Sequence, residues 1–190
     1  MEIKNRKTTR LDTFDYNSVG AYSITICTQN KQCLLSEVKL NSVGTGVLDG
    51  PPANKEISVE LTEYGRIADK YINQLNDFYK NISVDYYIIM PNHIHLLLNV
   101  GESGPSGTPV PTELLCFENA TQNSVISRFI STFKRFCNKE YGKNIWQSRS
   151  YDHVIRDMKD YETHIKYIYE NPLKWFFYGE DHDNVTLYEL

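Results

Sequence analysis

Ile82-Ser83-Val84-Asp85-Tyr86-Tyr87-Ile88-Ile89-Met90-Pro91-Asn92-His93-Ile94-His95-Leu96-Leu97-Leu98-Asn99-Val100 reads as two strands joined by a turn. The stretch from Ile82 to Met90 is rich in β-branched and aromatic residues, which fit a pleated, half-buried surface. Pro91-Asn92 supplies turn chemistry. His93 to Val100 then returns as a second strand. Residues two apart in a strand share a face, so His93 and His95 project together. Ile94, Leu96 and Leu98 point to the opposite, core side. Two imidazoles at this spacing can share one metal ion. A bare pair of this kind is more often two unrelated histidines on a solvated strand. Here, however, two of only five histidines sit in one strand.

Upstream of this hairpin, Ala21 to Thr28 alternates Tyr22, Ile24 and Ile26 with small or polar residues, the period of a half-buried strand. Residues 38–56 contain Gly44, Gly46 and Gly50-Pro51-Pro52 and read as a loop or exposed hairpin. Ile57 to Leu61 adds a short strand. A helix is expected from Thr62, an N-cap residue, with Tyr64, Ile67, Tyr71, Leu75 and Phe78 on one apolar face. Downstream, residues 101–121 carry Gly101, Gly104-Pro105, Gly107, Pro109 and Pro111 and form a long loop. A second helix spans Ser124–Tyr141, with Ile126, Phe129, Phe133, Phe136 and Cys137 buried. Ile145–Gln147 and Asp152–Ile155 are short strand candidates. A last helix covers Met158–Glu170 and stops at Asn171-Pro172, since a residue before proline avoids the helical region. The order β, α, β-hairpin, α, β, α predicts one α+β domain over 1–190. Its antiparallel sheet is of the ferredoxin-like kind, with helices packed on it and loop insertions at about 38–56 and 101–121.

Composition narrows the classes. The chain has 190 residues, 41% hydrophobic and 13% aromatic, enough to bury a core and unlike a disordered tail. No window approaches the ~18 apolar residues of a membrane span, and the polar start Met1 to Lys7 lacks a signal-peptide core. No membrane partner and a cytoplasmic location are therefore expected. Cys27, Cys33, Cys116 and Cys137 lack CxxC spacing and read as packed or free thiols, with no zinc site expected of them. The net charge of −4 speaks against bulk electrostatic coating of DNA. The charge is uneven, however. Between Ser124 and Arg149 stand six basic residues (Arg128, Lys134, Arg135, Lys139, Lys143, Arg149) against one acidic residue, Glu140. Arg128, Arg135 and Lys139 fall on one stripe of the second helix. They can track phosphates with Lys134 and Arg149 nearby, or be a solvated face. Trp146 is either a base-stacking side chain or part of the core.

On the last helix, Asp160, His164, Tyr167 and Asn171 fall within a sector of roughly 60°. Met158, Tyr161, Ile165 and Ile168 form the adjoining apolar stripe, by which the helix is expected to pack. Tyr169 projects away from Asn171, so Tyr167 is the tyrosine that shares a face with it. An ordinary amphipathic-helix tyrosine is the competing reading.

The stretch Tyr86 to Leu97 resembles the His-hydrophobic-His strand of the single-tyrosine transposases, which include the insertion-sequence and REP-associated tyrosine transposases. Tyr167-Ile168-Tyr169-Glu170-Asn171-Pro172-Leu173-Lys174-Trp175 resembles their C-terminal tyrosine helix, closer to the REP-associated branch. Ile145-Trp146-Gln147 and Asp152-His153-Val154-Ile155-Arg156 resemble the segment before that helix, and Phe133-Lys134-Arg135 resembles their basic helix. Arg10 to Tyr16, Gly20 and Tyr22 to Thr28 resemble the first strand and its lead-in. The similarity runs over about 10–175, and four motifs in order are specific where each alone is weak.

The resemblance implies roles. His93 and His95 hold a divalent ion, Mg²⁺ or Mn²⁺. Asn171, four residues after the tyrosine, is a polar third ligand. Tyr167 is the nucleophile, giving a 5′-phosphotyrosine and a free 3′-OH with no nucleotide cofactor. The partner is single-stranded or hairpin DNA, and Arg10 joins the DNA-contacting set. Insertion-sequence members resemble dimers while REP-associated members act as monomers, so a homodimer stays open. Three other readings compete. One is a non-catalytic hairpin-DNA-binding remnant, which intact Tyr167, His93, His95 and Asn171 argue against. Another is a ferredoxin-like RNA- or protein-binding module, which leaves these four residues unexplained. The third is a metal-dependent nuclease that uses water.

Overall fold

A computed structural model describes residues 18–42, 55–101 and 124–179. The elements are β1 (Gly20–Cys27), a short 3-10 turn (Gln29–Lys31), β2 (Ser36–Ser42), β3 (Lys55–Leu61), α1 (Glu63–Phe78), β4 (Ile82–Ile89), β5 (His93–Val100), α2 (Val125–Tyr141), β6 (Tyr151–Val154) and α3 (Met158–Tyr178). Four strands make one antiparallel sheet in the order β4-β5-β1-β6, and β2 and β3 pair as a separate two-stranded arm. Leaving the arm aside, the βαββαβ core with its first and third strands central is the expected ferredoxin-like α+β arrangement.

Burial follows the strand period. Ile24 and Ile26 of β1 and Ile94, Leu96 and Leu98 of β5 are fully buried together with Ile72 of α1 and Phe129 and Phe133 of α2. That face of the sheet carries α1 and α2. The opposite face carries α3, so the domain has three layers, and the histidine-bearing strand lies inside both covers.

Local chemistry sets the helix ends. The Thr62 side chain accepts from Gly65 N at 3.2 Å and its hydroxyl donates to the carbonyls of Leu34 and Leu35, so one residue caps α1 and pins the segment before β2. Ser124 accepts from Ser127 N at 3.2 Å to start α2, which ends at Gly142 in the left-handed conformation (φ 69°). A register shift between Val84 and Tyr86 bulges β4 at Asp85, whose Oδ2 accepts from Tyr161 of α3 at 2.8 Å.

The exposed-hairpin reading of 38–56 agrees with the β2–β3 arm, while 43–54 lie outside the described residues, as do most of the 101–121 stretch. Three expectations change. Ile145–Gln147 forms no strand. Only an isolated bridge joins Thr28 to Trp146, because Trp146 turns into the core against Phe133 at 5.4 Å. The helix expected to end at Glu170 runs through Pro172 to Tyr178. Proline removes the bond its N–H would make to the Ile168 carbonyl, yet Asn171 and Lys174 are buried and Trp175 packs toward His93, and these contacts hold the next two turns in register. Lastly, α3 packs by its apolar stripe only in part: Met158 is 69% exposed, whereas Tyr161 and Ile165 are half-buried and Ile168 is buried, and Asn171 and Lys174 beside the stripe are buried as well. Among the described residues no helix is long and apolar enough to cross a membrane.

Candidate active site

The site is built where β5 passes under α3. His93 and His95 project from the same face of β5, only 5% and 6% exposed, with ring centroids 4.5 Å apart. Their Nδ1 atoms are held. His93 Nδ1 lies 2.6 Å from Asn92 Oδ1, an acceptor, so Nδ1 donates and leaves the Nε2 lone pair for a ligand role. His95 Nδ1 lies 2.9 Å from Thr25 Oγ1, its register partner on β1. Such outer hydrogen bonds orient metal-binding imidazoles and fix their tautomer.

Over the two rings lies α3. Tyr167 stands edge-on to His95 with centroids 5.0 Å apart, and Trp175 lies 5.9 Å from His93. These residues are eight apart on one helical face, and Asn171 is midway between them. Asn171 is fully buried, and neither its Oδ1 nor its Nδ2 has a hydrogen-bond partner. A buried amide left this way is costly in a folded protein and points to an occupant. The donor set, two oriented imidazoles and one neutral amide oxygen, fits a divalent cation whose remaining positions are filled by water or phosphate oxygens. The Lys174 ammonium sits 5.1 Å from the Tyr167 ring centroid and 3.5 Å from Glu170 Oε2. A cation there favours the negative charge that a phenolate carries.

Tyr167, His93, His95 and Asn171 thus come together as expected, and Tyr169, 68% exposed, stays outside. The expected DNA-contacting residues do not gather around them. Arg128, Arg135 and Lys139 are exposed on α2, with the sheet between them and Tyr167, and Arg149 is exposed after α2. Lys134 is not a free phosphate contact. Its Nζ donates to Gln147 O at 2.8 Å and Arg149 O at 3.2 Å, and burial pulls the ammonium down to about 8. Trp146 is 2% exposed within the core and cannot stack on a base. Arg10 lies outside the described residues.

Sequence reasoning missed Asn92, Thr25 and Lys174. Asn92 was legible as the polar neighbour of His93. Thr25 emerges only from the β1–β5 register, and Lys174 only once α3 is known to continue past Pro172.

No family model matches the chain. An uncharacterised protein of Haemophilus influenzae is 27% identical over 180 residues, 91% of each chain. A REP-associated tyrosine transposase of Escherichia coli is 26% identical over 121 residues, covering 64% of this chain and 61% of that protein. A solved structure of a REP-associated tyrosine transposase bound to a REP hairpin aligns with a TM-score of 0.54 at 20% identity, over 87% of this chain and 74% of that one. That last likeness shows the fold. The chain is thus similar in sequence to REP-associated tyrosine transposases and has the fold of one.

Proposed function

We propose that this protein is a metal-dependent transposase that cuts and rejoins single-stranded DNA at hairpin-containing ends, with Tyr167 as the nucleophile. The observation that carries the reading is the edge-on contact of Tyr167 with His95, with the unpartnered Asn171 amide one turn further along the helix. The relative solved with a REP hairpin supports hairpin DNA as the substrate class.

His93, His95 and Asn171 would hold the ion, Mg²⁺ or Mn²⁺. When bound, such an ion polarises the scissile phosphate and neutralises developing charge. The protein's own part is positional and electrostatic. Asn92 and Thr25 fix the two imidazoles. Packing of α3 on β5 aims the Tyr167 hydroxyl, and Lys174 favours its phenolate. The Tyr167 oxygen attacks phosphorus, the phosphorus–O3′ bond breaks, and the 3′ oxygen leaves and takes up a proton as the phenol gives one up. The products are a 5′-phosphotyrosine and a free 3′-OH. Attack of a 3′-OH on that linkage reverses the exchange and joins strands without nucleotide hydrolysis.

The test is an adduct assay. The protein is incubated with labelled single-stranded hairpin DNA from the flanks of its gene and Mn²⁺, then resolved on a denaturing gel beside Tyr167→Phe. The expected result is a covalent band that vanishes in the variant and with chelator. Cleavage that survives Tyr167→Phe would overturn the tyrosine mechanism in favour of water. Binding with no cleavage would favour a DNA-binding remnant.

A further inference from the structure

A second cluster of metal-binding side chains stands outside the site just described. His153 on β6 and Asp160 and His164 on the first turns of α3 come together, and His153 and Asp160 line a surface cavity of about 320 Å³ there. One ligand atom from each of the three lies within 4.8 Å of the others. We propose that His153, Asp160 and His164 form a second metal site, for a divalent transition ion of the Zn²⁺ class, that ties the edge strand β6 to the start of the tyrosine helix.

Several independent features support this. The imidazole rings of His153 and His164 stack with centroids 4.8 Å apart and an interplanar angle of 20°, which holds the two side chains side by side. His164 Nδ1 lies 2.8 Å from the Asp160 carbonyl and 3.2 Å from Asp160 Oδ1, both acceptors; Nδ1 therefore donates, and Nε2 keeps its lone pair. Backbone orientation of this kind is the usual second-sphere support of a metal-binding histidine. Asp160 Oδ2 accepts from Arg156 N at 3.0 Å and meets His153 Nε2 at 2.9 Å, so the carboxylate is already aimed at the ring. Ser23, the register partner of His153, is two residues from Thr25 on β1, so His153 rises from the sheet face that carries His95 and α3.

The donor set decides the class of ion. Two imidazoles and one carboxylate suit Zn²⁺, Co²⁺ or Mn²⁺ better than Mg²⁺, and three protein ligands leave an open position for water or an anion. Arg156 and Lys159 line the same cavity, balanced by Asp157 and Asp160. Ligands around a tetrahedral ion sit ~3.4 Å apart given metal–ligand bonds of ~2.1 Å, so closure from 4.8 Å needs a shift of about 1 Å. The partly exposed His153 side chain has room to make it. His164 precedes Tyr167 by three residues on α3, so an ion here would fix the register of the nucleophile helix against β6.

The probe is Co²⁺, read by its visible d–d absorption in the full chain. The background is His93→Gln with His95→Gln, which already lacks the first site. A failure of the proposed catalytic reading therefore does not touch this signal. The expected result is one equivalent of Co²⁺ bound with ligand-field bands, displaced by Zn²⁺. Asp160→Asn or His164→Gln should each weaken binding at least about tenfold. Asp160→Asn keeps an oxygen to accept from Arg156 N, and circular dichroism checks that each variant is folded. No ligand-field band in the folded background protein, or a band unchanged by both substitutions, would overturn the site.

Discussion

An amide that is fully buried without a hydrogen bond costs a fold roughly 1–3 kcal/mol, and Asn171 is such an amide. A residue kept at that cost is under a demand other than stability. Asn171→Leu, similar in size and apolar, is therefore expected to raise the metal-free unfolding free energy by about 1 kcal/mol or more while abolishing adduct formation. Urea denaturation with chelator present, beside the gel assay, checks both halves. A variant that loses stability would show that the amide makes contacts supporting the fold. Lys134 offers a second residue-scale test, through pH. Burial lowers its folded pKa to about 8 from the ordinary 10.5. Between those values the native state binds fewer protons than the unfolded chain, so unfolding free energy rises with pH in that window. Below about pH 8 both states are protonated and the burial penalty is present in full. The stability of wild type relative to Lys134→Met should accordingly improve from pH 7.5 to 9.5. A flat difference would mean that the carbonyls of Gln147 and Arg149 offset the burial completely.

Among the elements, α1 carries a contact that reverses a common rule. Replacing a helical glycine by alanine normally gains ~1 kcal/mol. At Gly65 a Cβ would stand 2.0 Å from the Leu35 carbonyl oxygen. That oxygen is fixed by the Thr62 backbone N–H at 3.0 Å and the Thr62 hydroxyl at 2.9 Å, so it cannot retreat without losing both bonds. Gly65→Ala is expected to destabilise by about 2 kcal/mol, as overpacking does, and thermal unfolding reads it directly; an unchanged or raised midpoint would show that α1 slides. The same α1 shows what sequence makes legible. Thr62 and Ser124 declare helix starts because a hydroxyl cap is local chemistry, and the alternation around His93 declares its strand because burial on one face has period two. The residues proposed as metal ligands and nucleophile were legible for the same reason, being spaced within one strand and one helix. The orientation of α3 was legible only in part: Ile168 of its apolar stripe is buried, but the burial of Asn171 and Lys174 beside it depends on His93 and His95 across the gap. Likewise Trp146 reads as an exposed base stacker or a core side chain until Phe133 is seen beside it. The β2–β3 arm was legible as a loop or exposed hairpin, and its strands carry charges such as Lys39 and Glu60, which pair across it at 2.6 Å.

At the scale of the whole molecule, the sheet divides the protein into a chemical side and a basic side. Tyr167 and both histidines lie under α3, whereas Arg128, Arg135 and Lys139 are exposed on α2 across the sheet. A net charge of −4 leaves little general attraction for a polyanion, so the proposed binding of DNA calls for a local basic stripe. A hairpin that reaches Tyr167 and also meets this stripe has to pass around an edge of the sheet. Counterion release makes the idea measurable, because each phosphate contact contributes about 0.7 to the slope of log affinity against log salt for single strands and about 0.9 for a duplex stem. If the stripe tracks phosphates, changing Arg128, Arg135 and Lys139 together to Gln should lower that slope by about 2 to 3 and weaken binding of a labelled hairpin alike for all sequences. Fluorescence anisotropy over a salt series measures both. A slope unchanged in the triple variant would make α2 a solvated face. The phosphate contacts would then belong to the α3 side of the sheet, where Arg156 and Lys159 line the cavity beside His153.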